Sequence, residues 1–180
     1  DWILITIKKK TIAIYSVAVG VNSGFNTQGN YTVAIGNSAG NDRQKIGAIS
    51  IGSSAGQTSQ ASYSVAIGHS AGGTSQEIGA VSIGPNAGNN AQKTRAVAVG
   101  DNAGFEFQGQ NTVAVGNKAG RESQTEYAVA IGYESGRVSQ GQNAVAVGNQ
   151  AGTTSQGIYS VAVGVLAGNS NQLTSAVAIG

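Results

Sequence analysis

The chain has 180 residues, a formal net charge of +2, 28 Gly, one Pro, no Cys and no Met. Without Cys there is no disulfide framework, no thiolate metal site and no Cys nucleophile, and the redox compartment stays open. Abundant Gly with a single Pro excludes collagen, and 10% charged residues beside 40% hydrophobic ones exclude a solvated disordered chain.

Residues 1–14, from Asp1 to Ile14, fit no repeat, and the alternation of Ile3, Ile5 and Ile7 predicts a strand. Solenoid ends expose unpaired backbone, so this segment is the expected cap. The other end stops on Gly180 in mid-coil. Either the chain is a piece of a longer protein, or the N-terminal strand completes the C-terminal coil of the next subunit. Lys8, Lys9 and Lys10 read as a solvated run.

From residue 15 to 180 the sequence is a lattice. A [VI]-[AS]-[VI]-Gly tetrapeptide closes at Gly20, Gly36, Gly52, Gly68, Gly84, Gly100, Gly116, Gly132, Gly148, Gly164 and Gly180, always 16 residues apart. A second glycine follows four residues later, at Gly40, Gly56, Gly72, Gly104 and Gly120 among others, and Gln follows after four more, at Gln44, Gln60, Gln76, Gln108 and Gln124 among others. The two columns hold 21 of the 28 glycines. β-branched residues on both sides of a small one favour a strand. A helix would show a period near 3.6 and tolerate far fewer glycines. Sixteen residues suit one coil: a strand, a Gly turn, a second extended stretch and a second turn. The expected fold is all-β, a parallel β-solenoid with coils about 4.8 Å apart, or roughly 48 Å over ten intervals.

The columns carry further expectations. Val or Ile fills every first and third strand position, while the middle is Ala nine times and Ser twice. Restriction to the smallest side chains implies that the middle face is covered at close range. The second half of each unit is polar and cannot oppose an apolar strand. The apolar strands are therefore expected to bury against copies of themselves. That oligomer core comprises Val33, Ala34, Ile35, Val65, Ala66, Ile67, Val97, Ala98, Val99, Val129, Ala130 and Ile131. The Gln column reads as a structural amide ladder rather than a row of ligand sites. Tyr15, Tyr31, Tyr63, Tyr127 and Tyr159 share one column and read as packing at a turn.

The repeated Val-Ala-Ile-Gly-x-x-Ala pattern, over residues 15–180, resembles the head repeats of trimeric autotransporter adhesins, the YadA-like family. Similar repeats occur in phage and large-virus fibre proteins. The unit of 16 is longer than the family's usual repeat and carries a constant Gln. The resemblance implies a left-handed β-roll, a homotrimer, adhesion, and an extracellular place on a cell or virion surface.

No enzyme is expected. His69 is the only His and falls in a variable turn, and no acidic residue recurs in one column. No catalytic, metal or cofactor site is therefore expected. Residues 11–180 carry seven basic and seven acidic side chains with no basic stripe, so no nucleic-acid partner is expected. No apolar run reaches the roughly 18 residues of a membrane span. Asn30-Tyr31-Thr32 is an isolated glycosylation sequon. The primary expectation is a structural surface-fibre segment that meets an unidentified receptor through variable turn residues. The alternative is a self-assembling filament subunit. An ice-binding solenoid would need a regular Thr array, which the columns lack.

Overall fold

The computed structural model describes residues 13–180, and the expected N-terminal cap strand lies outside them. Among the described residues, eighteen strands of three residues form two parallel sheets. The first sheet has eleven strands, from Val17–Val19 to Val177–Ile179, and holds all the Val/Ile tripeptides. The second has seven, from Thr58–Gln60 to Thr154–Gln156. Isolated bridges continue the second sheet's pairing at both ends, for example Gln28 with Gln44 and Thr154 with Ser170. The chain is thus an all-β parallel solenoid.

The register equals the sequence period. Val33 pairs with Ile49, and Val113 with Val129. Each coil bonds to the coil above and the coil below. Val33 N–H donates to Ala48 O at 3.0 Å, and Gly36 N–H donates to Val19 O at 2.8 Å. Turn residues join this pattern: Gly40 N–H reaches Ala55 O at 2.9 Å and Lys45 N–H reaches Gln60 O at 2.9 Å. A one-residue insertion would break every such bond at that level and reverse the strand's faces.

The interior is narrow. Ala98, Ala103 and Gln108 project inward from successive parts of one coil, and all are fully buried. Ala87, Ala98, Ala103, Ala114, Ala119 and Ala130 form one continuous cluster. Among the described residues, the largest fully buried side chains are those of Gln. This corrects part of the sequence expectation. Ala34, Ala66, Ala98 and Ala130 were assigned with their strand neighbours to an oligomer core, but each is buried inside the chain's own coil. Alternation along a strand forces this, because the middle residue faces away from its two neighbours. Their neighbours face outward instead: Ile35 and Ile131 are 38% and 40% exposed.

The first glycine column is demanded twice over. Gly100 has φ +128°, and a Cβ there would lie 2.6 Å from Gly116 O of the next coil. Stacked glycines let the turns close at one coil spacing. Gly100→Ala is expected to cost about 1–3 kcal/mol from backbone strain alone. Gly79 is the contrast: a Cβ there meets only Arg95 Cγ, at 3.7 Å, and its column elsewhere holds Asn111 and Asn143 at positive φ. Gly79→Asn is expected to stay within about 0.5 kcal/mol of the parent. Urea melts of both variants check the pair of outcomes.

Candidate functional site

Two features recur in every full coil: an amide inside and a pair of branched apolar side chains outside. The inner amide comes from the second sheet, whose third residue is Gln and points inward. Gln108 Nε2 donates to Val97 O across the coil at 2.8 Å and to Gln124 Oε1 of the next coil at 3.3 Å. Its own Oε1 accepts from Gln92 Nε2 at 3.0 Å. The same amide-to-amide bond links Gln44 to Gln60, Gln60 to Gln76, Gln76 to Gln92, Gln124 to Gln140 and Gln156 to Gln172. Between Gln140 and Gln156 the run is interrupted. Gln140 Nε2 there serves Val129 O and Ala144 O, and Gln156 Oε1 is buried without a partner.

The second glycine and the Gln form one device. Gly104 has φ +52°, and a Cβ there would lie 2.6 Å from Gln108 Oε1. Gly40, Gly56, Gly72 and Gly120 stand in the same relation to Gln44, Gln60, Gln76 and Gln124. The glycine makes room for the amide four residues ahead. Gly36, Gly52, Gly68, Gly100 and Gly116 belong to the other column, each packed on the carbonyl of the coil above.

Ser50 and Ser82 have a role that sequence reasoning missed. Ser50 Oγ donates to Gln60 Oε1 at 2.5 Å and accepts from Gln44 Nε2 at 3.2 Å. Ser82 joins Gln92 and Gln76 in the same way, at 2.6 and 3.1 Å. Both are extra rungs in the amide ladder. Their place in an otherwise Ala column, beside a Gln column, was the available signal.

The outer face belongs to the first sheet. Val33, Ile35, Val65, Ile67, Val97, Val99, Val129 and Ile131 lie on it, all half-buried or exposed. Among the described residues nothing lies across from the stripe. Beside it runs the Tyr column. Tyr15 and Tyr31 stack with ring centroids 5.5 Å apart, and the Tyr63 ring lies over Gly47, whose missing Cβ leaves it space. His69 is exposed in its turn. Among the described residues no cluster of three or more His, Asp or Glu could hold a metal ion. No helix there is long and apolar enough to cross a membrane.

Charged side chains pair between adjacent coils. Glu134 accepts from Gln150 Nε2 at 3.0 Å and from Lys118 Nζ at 3.3 Å. The Gln150 hydrogen bond, more than Lys118, holds the Glu134 carboxyl below the usual glutamate range despite some burial. Glu77 is lowered chiefly by its hydrogen bond to Lys93, at 2.9 Å. A carboxyl depressed in the folded state adds stability at pH above its unfolded value, and loses it as pH falls through the folded one.

Two predictions follow from this geometry. Gln108→Leu strands Gln124 Oε1 and takes one partner each from Gln92 Nε2 and Val97 O, and is expected to cost about 1–3 kcal/mol; Gln110→Leu, on an exposed residue, is expected to stay within about 0.5 kcal/mol. Urea denaturation of the two variants checks this. Glu134→Gln removes one group whose stabilising charge disappears in acid. Its melting temperature is expected to fall less than the parent's between neutral and strongly acidic pH, as read by circular dichroism.

No curated protein and no solved structure matches the chain. The matching span, residues 139–167, includes Val145-Ala146-Val147-Gly148 and Val161-Ala162-Val163-Gly164, two successive strand-and-glycine units of the solenoid. These residues match the YadA head domain repeat in two copies, the family that the strand-and-glycine pattern resembles.

Proposed function

We propose that the chain is a structural, non-enzymatic segment of an extracellular surface fibre, similar to an adhesin head. Three copies pack their Val/Ile faces together as a homotrimer of left-handed rolls. The rod then supplies reach, and the variable turn residues meet a receptor on a host surface or matrix. One observation carries this reading: the coil turns its Ala and Gln columns inward, yet leaves its largest apolar columns outside. Ile83 and Val163 are 38% and 39% exposed on the same sheet as Ile35 and Ile131. Continuous apolar stripes of this kind mark interaction surfaces. A copy of the same stripe is a natural cover, because its strand spacing is identical. The YadA head repeat at residues 139–167 supports the trimer and the surface location.

Sedimentation and native mass spectrometry of the full chain are expected to give about 54 kDa, three times 17.9 kDa. Val97→Lys combined with Val99→Lys is expected to release a folded monomer, since neither side chain points into the coil. A parent chain that is a stable monomer would overturn the trimer. Polymers that lengthen with concentration in electron micrographs would make the chain a filament subunit instead.

A further inference from the structure

Where the second sheet turns back towards the first, three cavities of 340, 450 and 380 Å³ lie in succession along the rod. Glu77 lines the first and second, and Thr125 and Glu126 line the second and third. The shared walls make them one groove. Its charges are arranged by position. Lys45 stands at the end nearer the N-terminus, where Arg43 beside it is paired with Asp42 at 3.2 Å. In the middle, Glu77 and Lys93 neutralise each other at 2.9 Å, and both oxygens of Glu77 are occupied, the second by Thr94. Phe107 lines the same cavity about four coils from Lys45, one coil short of Glu126, and is 59% exposed. Glu126 stands beyond it. Lys45 and Glu126 are both exposed, and neither has an ion-pair partner among the described residues.

We infer that this groove binds an extended peptide with an acidic side chain near one end and, near the other, an apolar side chain followed by a basic one. The acid faces Lys45, the apolar side chain lies on Phe107, and the base faces Glu126. The lengths agree. Phe107 is about four coils from Lys45 and Glu126 about five, or about 19 and 24 Å at about 4.8 Å per coil. A strand at about 3.3 Å per residue covers these in about six and about eight residues, even steps that keep all three side chains on one face. Complementary charges at the ends fix register more than they add affinity. A polyanion is disfavoured, because it would meet Glu126 and the carboxylate of Glu77.

The test uses the full chain and fluorescence anisotropy at low ionic strength, where exposed charges are least screened. The probe is a labelled peptide with blocked ends, Asp-Ser-Thr-Ser-Thr-Ser-Phe-Thr-Lys. Saturable binding is expected. Lys45→Glu is expected to weaken it about tenfold and to make the peptide with Lys at both ends the tighter ligand. Glu126→Lys is expected to weaken it likewise and to favour the peptide with Asp at both ends. Absence of saturable binding would overturn the inference. So would equal binding of a peptide with Ser at both ends, or affinities indifferent to both charge reversals. A sulfated polysaccharide that competes through Lys45 with no dependence on Glu126 would overturn it too. Mass measured on the same samples reports on the homotrimer separately, so failure of one reading is not mistaken for failure of the other.

Discussion

The space inside a 16-residue coil governs the rest of the molecule. A loop that closes on itself with two three-residue strands encloses room for methyl groups, hydroxyls and one amide. Ala66, Ala71 and Gln76 fill that room in one coil, and Ala98, Ala103 and Gln108 in another, all essentially without exposure. Every larger side chain is driven out. A typical globular domain buries its Val and Ile and leaves its Gln in water. Here the assignment is reversed, because the amide can be satisfied inside by backbone and by its own copies, whereas a branched side chain is too wide.

A core of this kind changes what holds the fold together. A buried methyl contributes on the order of 0.8 kcal/mol by transfer, so an Ala core gains little per coil. Hydrogen bonding takes a larger share than usual. Backbone groups of strand and turn alike bond to the neighbouring coils, and the amides bond in a row. A row of buried amides is stabilising only when its members are satisfied, since an orphaned one loses its hydration without return. Ser50 and Ser82 answer that demand locally. Gln28, Gln44 and Gln156 each keep an unpartnered oxygen and mark the weak levels of the row.

The period and the parallel stacking were legible in the sequence because each is a column, and columns survive variation elsewhere; the Gln column read as an amide ladder, but not as one that fills the inside of the coil. Which face of the strand is inside was half legible. The restriction to Ala and Ser at the middle position announced close packing, but the oligomer and the coil's own interior were equally good places for it. Volume decides between them, and volume is a property of the closed coil rather than of the tripeptide. The turn geometry was least legible. Each full coil places about five residues in positive φ, and only two of those columns are reserved for Gly. Ser38, Arg43 and Tyr63 adopt φ of 54°, 54° and 60°. Nothing in Arg or Tyr signals such a conformation. It is imposed from outside, as Tyr63 N–H donates to Ile46 O at 3.0 Å and Ser38 N–H to Val21 O at 2.8 Å.

The imposed turns also explain where variation is tolerated. A residue in the left-handed region costs roughly 1–2 kcal/mol unless it is Gly or Asn, yet the chain accepts many different residues there. The cross-coil bonds supply the compensation, and they use only backbone. Many side chains at these positions point to solvent, as Phe107 and Tyr159 do at 59% and 60% exposure, while Lys118, Glu134 and Gln150 share one such column and pair between coils. The fold thus separates its tasks by phase along the repeat. The strand's middle residue, the glycines and the Gln hold the coil, and the strand's outer residues offer a uniform apolar face. The corners carry side chains free to differ from coil to coil, and only there can a repetitive rod acquire a surface that is not repetitive.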